Sequence, residues 1–341
     1  MIRVGINGFG RIGRSFTRAL LARGAGADVD LVAVNDPMGD RETMAFLLKH
    51  DSVGGVLAND VTATDAGFSI DGRTITKLEV MDPAEIPWGD HGVDVVIEST
   101  GRFTGRADAA GHLTGGAQRV VISAPSGDAD ATICMGVNDS VFDPAAHTVI
   151  SNASCTTNCL APMAKVLNER FGIERGLMTT VHAYTSDQSL QDLAQVTRSG
   201  KPDLRRMRAA ALSIIPSSTG AARAIGLVLP ELKGKLDGTA LRVPTPTGSI
   251  TDLSAQLAKE ASVEQINAAF AAAAADPAFR GVLQYSEEQL VSADIVKNPS
   301  SCILSAHDTM ANGNLVKVLG WYDNEWGYSN RLVDLVGFIG A

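Results

Sequence analysis

The stretch Ile2-Arg3-Val4-Gly5-Ile6-Asn7-Gly8-Phe9-Gly10-Arg11-Ile12-Gly13 decides the fold. Ile2 to Ile6 is a short β-rich run, and a helical pattern follows the glycines from Arg14 to Arg23. Between strand and helix each glycine has its own task. Gly8 permits a tight turn, Gly10 lets the backbone approach a pyrophosphate, and Gly13 lets helix and strand pack closely. The N–H groups at the helix start then hold phosphate oxygens. A second apolar run, Asp30 to Asn35, ends at Asp36, which lies at about the ~20-residue spacing of an acid that binds ribose hydroxyls. A carboxylate there repels a 2′-phosphate, which points to NAD over NADP. The competing reading is a Gly-rich turn beside an unrelated surface Asp. Strand, glycines, helix and acid in that order favour the dinucleotide.

Working outward, Val93–Glu98 and Arg119–Ser123 are further short apolar runs, each closing on a polar or Gly-bearing turn. Buried strands alternating with helices predict an α/β fold, a Rossmann-type doubly wound parallel sheet. The character changes near residue 150. A helical stretch runs from Ser154 through Phe171, with Pro162 inside it. Gly176–Ala183, Gly238–Val243, Ser249–Leu257 and Leu315–Trp321 read as strands. They predict an α+β catalytic domain built on a mixed or antiparallel sheet. Leu332, Val333, Leu335, Val336 and Ile339 have helical spacing near the end. The expected division is a dinucleotide domain at 1–153, completed by a C-terminal helix at 322–341, and a catalytic domain at 154–321.

The chain has 341 residues, and 45 % are hydrophobic, enough for two domains with cores of their own. Only 5 % are aromatic, so aliphatic side chains fill those cores. The formal net charge of −9 argues against a dedicated nucleic-acid binder, since phosphate backbones need a basic surface. Four cysteines, with no CxxC pair or structural-zinc spacing, give neither a disulfide scaffold nor a metal site and suit a reducing cytoplasm. The glycines near the start exclude a signal peptide, and no apolar run suggests a membrane span.

Ser151-Asn152-Ala153-Ser154-Cys155 carries the chemistry. If Ser154 caps the helix, Cys155 lies in its first turn, where the helix N-terminus lowers a thiol pKa. Cys159 sits one turn deeper. A cysteine at a helix start is nevertheless more often a packing residue than a nucleophile, and a base is needed to alter that balance. His182, at the end of a strand, is the candidate, since an imidazole activates a thiol and relays a hydroxyl proton. Read alone it would be a satisfied strand-end histidine. His50, His91, His112, His147 and His307 have no comparable context.

The segment Ala153-Ser154-Cys155-Thr156-Thr157-Asn158-Cys159-Leu160-Ala161-Pro162 resembles the active-site signature of phosphorylating glyceraldehyde-3-phosphate dehydrogenases. The resemblance runs through nearly the whole chain: Gly5–Gly13, Asn35-Asp36-Pro37, Ser99–Phe103, Ile122–Pro125, Ile215–Gly220, Leu241–Pro246 and Trp321–Tyr328 all match family motifs in order. It implies oxidation of glyceraldehyde 3-phosphate with NAD and inorganic phosphate, through a hemithioacetal and a thioester on Cys155, with His182 as the activating base. Gly8, Gly10, Arg11, Ile12, Gly13, Asn35, Asp36, Met81, Ser99, Thr100, Ser123, Asn324 and Tyr328 are implied at the cofactor, Asn324 on the nicotinamide carboxamide. Ser154, Thr156, Thr185, Asp187, Arg208, Thr219, Gly220 and Arg242 are implied at two anion sites, one for the substrate's phosphate and one for the incoming ion. A cytoplasmic homotetramer is implied as well.

Two features depart from the family pattern. The loop at 187–206 is a few residues longer than usual, with Ala194 where Pro is common, and Met81 stands where Arg is frequent near the adenine. The long loop raises a variant reading, a specialised inhibitor-tolerant form of the same enzyme. The nearest rival activity is erythrose-4-phosphate dehydrogenase, which shares thiol and cofactor but need not use phosphate. A binding protein that lost catalysis has no need of Cys155, His182 and Arg242 together.

Overall fold

In the computed structural model, residues 1–24, 28–194 and 202–340 are described. They form two compact units, Met1–Ser154 with Tyr328–Ala341, and Cys155–Gly327.

The first unit is a nine-stranded sheet. Its parallel part runs Ala131–Thr132, Val149–Ser151, Arg119–Ile122, Val95–Glu98, Ile2–Asn7, Val29–Asn35 and Arg73–Leu78. Val4, Ile6, Ala33, Val34, Val96 and Ile97 are fully buried, as expected for central strands with both faces covered. The strand order reverses around Ile2–Asn7, so the carboxyl ends of that strand and its neighbours open a crevice of the kind that receives ligands in doubly wound sheets. One part differs from the parallel expectation. Val61–Thr64 and Gly67–Ile70 join Arg73–Leu78 as antiparallel hairpins. The turn between the last two holds Asp71 and Gly72 at positive φ, a local tight turn that a crossover pattern does not anticipate.

The second unit is a seven-stranded mixed sheet, ordered Ile215–Ser218, Leu236–Val243, Ile173–Ala183, Ser249–Leu257, Leu315–Tyr322, Cys302–Asn312 and Leu283–Ser286. The helix Cys155–Phe171 packs on it and against the helices Ala221–Val228 and Val263–Ala275. Thr156 through Ala164 are all buried, so this part of the helix is a core element enclosed nearly all round rather than a surface helix with one wet face.

The unit boundary also differs from expectation at its C-terminal end. Residues 322–327 belong with the second unit. Tyr322 ends a strand paired to Ser249, and the buried side chains of Asp323 and Asn324 bond to Thr247 and Ser249. The last helix starts only at Trp326. In the loop at 187–206, Ser189 N–H donates to the Arg206 carbonyl and Leu193 N–H to that of Met207, so its described limbs run together. Residues 195–201 of that loop lie outside the described residues.

Candidate active site

Cys155 opens its helix two residues after Ala153, a buried non-glycine residue held at φ 56°. That left-handed turn costs of order 1–3 kcal/mol and persists only where surrounding structure fixes it, a pattern that clusters at functional sites. His182 comes from the strand Ile173–Ala183. Its Nδ1 lies 2.7 Å from the Ala183 carbonyl, which can only accept, so Nδ1 carries the proton. Nε2 is left with a free lone pair, and it faces Cys155 Sγ at 3.5 Å. The parallel register places His182 beside Arg242 on the neighbouring strand.

This arrangement corrects one expectation. Burial pushes the Cys155 thiol up to about 11, against the charge of Arg242 and hydrogen bonds from Thr156, so the helix N-terminus does not leave a resting thiolate. Burial, and then Arg242, also hold His182 down at about 4. Both shifts favour the neutral forms, and Nε2 is the lone pair in place to take the thiol proton as sulfur attacks.

Arg242 Nη1 donates to Thr185 Oγ1 at 2.5 Å, and Thr185 donates to Asp187. Against the desolvation that would raise it, Thr185, Arg242 and Arg206 hold the Asp187 carboxyl below its ordinary range. Arg206 is the residue that sequence reading missed. It pairs with Asp187, and its Nε donates to Ser217 Oγ at 3.0 Å. Arg208 takes no part in this cluster: its Nε pairs with Asp192 at 2.8 Å, and both side chains are exposed. Asp203 sets the difference by accepting from the backbone N–H groups of Arg205 and Arg206, a turn that directs Arg206 inward. Thr219 and Gly220 start the helix Ala221–Val228, and Thr219 Oγ1 accepts from the Ala221 N–H. Thr156 is buried, its hydroxyl 2.8 Å from that of Tyr322.

In the first unit, Gly8 has φ 92° and Gly13 has no room for a side chain, since a Cβ there would lie 2.5 Å from the Gly8 carbonyl oxygen. A Cβ on Gly10 would meet nothing within 4 Å; the constraint there is space for a ligand, not packing. A cleft of 230 Å³ is lined by Gly8, Gly10, Asn35, Asp36, Met81, Ser99 and Thr100, together with Asn7, Arg102 and Phe103. Asp36 is held by the N–H groups of Phe9 and Met38, both at 2.9 Å, one to each carboxylate oxygen. Each oxygen keeps a lone pair for a hydroxyl donor. The cleft, the open face of Gly10 and this oriented acid fit a dinucleotide.

Arg11, Ile12, Gly13, Ser123 and Tyr328 do not line that cleft. Arg11 pairs with Asp51 at 2.6 Å, Ser123 N–H donates to the Glu98 carbonyl, and Tyr328 donates its hydroxyl to the Ala153 carbonyl at 3.0 Å. Ser154 lies in the first unit, immediately before the Cys155 helix. Asn324 is in the second unit, where its Oδ1 accepts from Ser249 at 2.8 Å and Thr247 at 3.3 Å. Its Nδ2 donors are what it can offer a carboxamide oxygen.

Residues 2–106 match the family described as glyceraldehyde 3-phosphate dehydrogenase, NAD binding domain, and residues 154–324 its C-terminal domain. The chain is 59% identical over 340 residues to the glyceraldehyde-3-phosphate dehydrogenase of Streptomyces coelicolor, covering 99% of this chain and 98% of that one. It is also 59% identical over 344 residues to the enzyme of that name in Mycolicibacterium smegmatis, and 59% over 343 residues to that in Mycobacterium avium, each covering 99% of this chain and 98% of the relative.

Proposed function

We propose how this chain, which belongs to the glyceraldehyde-3-phosphate dehydrogenase family, uses its residues in the family's reaction. It is an NAD-dependent oxidoreductase, and it oxidises glyceraldehyde 3-phosphate in the presence of inorganic phosphate. The observation that carries the assignment of roles is Cys155 Sγ at 3.5 Å from the unprotonated Nε2 of His182. As Sγ attacks the aldehyde carbon, Nε2 takes the thiol proton, and the hemithioacetal oxygen is held by the Cys155 N–H and by the imidazolium. His182 then returns that proton and accepts the one on the hemithioacetal hydroxyl as the carbon is oxidised. Bound NAD supplies the hydride acceptor for that oxidation. Phosphate oxygen adds to the resulting thioester, Cys155 leaves as thiolate, and an acyl phosphate departs.

Arg242 and Arg206 supply the donors for one anion, with Thr185 and Asp187 holding the two guanidinium groups in place. Thr219 and Gly220 at a helix N-terminus are suited to another. In the first unit, Asp36 binds the ribose hydroxyls, and Gly8 and Gly10 shape the floor under the phosphates. We assign the chain to the cytoplasm as a homotetramer. Its four free cysteines suit a reducing compartment, and the exposed Leu190, Leu193, Leu204, Leu212 and Ile214 are apolar surface for subunit contacts.

The test is a phosphate- and NAD-dependent assay with glyceraldehyde 3-phosphate on the wild type, Cys155→Ser and His182→Asn. Cys155→Ser is expected to be inactive, and His182→Asn to keep its substrate KM while losing turnover. Full activity in Cys155→Ser would overturn the assignment. Erythrose 4-phosphate oxidised in preference, without phosphate, would overturn the substrate.

A further inference from the structure

Beneath the cleft in the first unit lies a buried polar chain that no step above uses. Trp88 Nε1–H points at His112 Nδ1, at 3.0 Å. An indole N–H can only donate, so Nδ1 is the acceptor and the proton of His112 resides on Nε2. Nε2–H then donates to Glu98 Oε2 at 3.1 Å. Asn7 Nδ2 donates to the same oxygen at 2.6 Å. The other oxygen, Oε1, accepts from the Thr100 N–H at 2.8 Å and from the Thr100 hydroxyl. A carboxylate has about four lone-pair sites, and here four donors fill them. The side chains of Glu98 and His112 have no solvent exposure.

The residues held by Glu98 shape the cleft. Thr100 Oγ1 accepts from the Arg102 N–H at 3.0 Å, which sets the turn that carries Arg102 and Phe103. The backbone of Thr100 is also the surface on which the glycine turn rests, since a Cβ on Gly8 would lie 2.6 Å from Thr100 N. Ser99 Oγ donates to the Gly8 carbonyl at 2.6 Å. On the other side, Asn7 Oδ1 accepts from Asn35 Nδ2 at 2.8 Å, and the Asn35 amide is bonded at both ends to the backbone of Val80, next to Met81. One carboxylate thus ties together the ends of three parallel strands and the two walls of the cleft.

A buried charge stays where its donors are complete, and a missing donor leaves it undersatisfied and free to draw in another group. Of the four donors, Asn7 and Thr100 are themselves the groups being positioned. His112 is the one that lies outside the cleft, and Trp88 fixes which of its nitrogens can donate. We propose that His112 is a positioning residue for cofactor affinity: by donating from Nε2 it locks Glu98, and through Glu98 the Asn7–Thr100 floor of the dinucleotide cleft. The proposal rests on that cleft being the NAD site.

Two polar substitutions of similar character separate this role from general packing. In His112→Gln the side-chain amide reaches the Nε2 position and keeps the donor to Glu98. In His112→Asn the amide reaches only the Nδ1 position, so Trp88 keeps an acceptor and Glu98 loses its donor. The NAD dissociation constant is read by titration of intrinsic fluorescence, with KM for NAD, kcat at saturating NAD, and the alkylation rate of Cys155 in the cofactor-free protein. His112→Asn is expected to weaken NAD about tenfold, the lower end of what one hydrogen bond to a charged group contributes. Its kcat at saturating NAD and its alkylation rate are expected within about twofold of wild type, the scatter of a change that leaves the reacting groups in place. His112→Gln is expected within about threefold of wild type in affinity, most of that hydrogen bond being kept. Wild-type affinity in His112→Asn, equal losses in both variants, or a fall in kcat matching the loss of affinity would each overturn the proposal. The Gln variant tests it alone, since a folded His112→Gln protein with tenfold weaker NAD contradicts it. If no NAD binds even to wild type in the presence of an intact Cys155, it is the reading of the cleft that fails.

Discussion

Replacing Tyr322 with Phe removes a single oxygen beneath the nucleophile and leaves the ring, which meets His182 edge-on with centroids 6.0 Å apart. Burial holds the phenol well above its ordinary pKa, so it remains a hydroxyl. Its oxygen is 2.8 Å from Thr156 Oγ1 and 2.8 Å from Thr180 Oγ1. Thr180 has the Ile250 carbonyl at 3.3 Å as a second partner, and the Thr156 hydroxyl also reaches the Cys155 sulfur. The Tyr322 hydroxyl therefore bridges two buried hydroxyls that each hold another partner. In Tyr322→Phe both lose the phenol, Thr180 keeps its carbonyl, and the Thr156 proton is committed to sulfur. One net hydrogen bond is worth about 1 kcal/mol. Two are lost and neither threonine is orphaned, so the expected destabilisation is about 2 kcal/mol. A hydrogen bond donated to sulfur favours the thiolate. The pH midpoint for alkylation of Cys155 should therefore fall below that of wild type. Urea unfolding measures the first effect, and iodoacetamide inactivation against pH measures the second. An unchanged urea midpoint, or an alkylation midpoint that moves up, would refute this reading of the bridge.

Three other outcomes follow from the same geometry. Arg206→Gln should raise the KM for the phosphorylated substrate or for phosphate at least about tenfold, the weight of a lost charge-assisted contact, whereas Arg208→Gln should stay near wild type in steady-state assays. His182→Asn should lower kcat by about 10²–10⁴ with little change in KM. Because burial holds the imidazole at about 4, its base form is present above that pH, and the turnover that depends on it should be lost as pH falls through that value. Asp130 accepts from Arg106, Thr148 and Val149, which together outweigh desolvation and bring its carboxyl down to about 2. Its folded pKa is depressed, so this contribution is complete above the unfolded value and fades as pH falls toward 2. Asp130→Asn should cost about 1–2 kcal/mol near neutral pH, after discounting for solvent screening, and the gap between the two urea curves should close in acid.

What the sequence made legible depends on how far each interaction reaches along the chain. Gly8, Gly10, Gly13 and Asp36 were readable because strand, turn and helix lie within one βαβ segment, and the steric demand on each glycine is local. Cys155 and His182 stand 27 residues apart, and nothing in their spacing brings them together; the strand register and the Nδ1 bond to the Ala183 carbonyl do that. Local pattern also misjudged sign. A helix start lowers a thiol pKa, but a helix with Thr156 to Ala164 buried removes the water that would support the thiolate, and desolvation wins. Arg206 and Arg208 look interchangeable as sequence, and only the Asp203 turn and the position of Asp187 separate them.

His112 was the least legible of all. Its partners Trp88 and Glu98 lie 24 and 14 residues away, and each alone reads as a core aromatic or a strand-end acid. Meaning appears only when donors and acceptors are counted in space. Trp88 has no lone pair to offer and the Glu98 oxygens accept, so the histidine between them has one tautomer open to it. A side chain whose hydrogen-bonding role is fixed at both ends transmits position rather than charge. That is why a residue with no solvent exposure is expected to be felt in cofactor affinity and not in the chemical step.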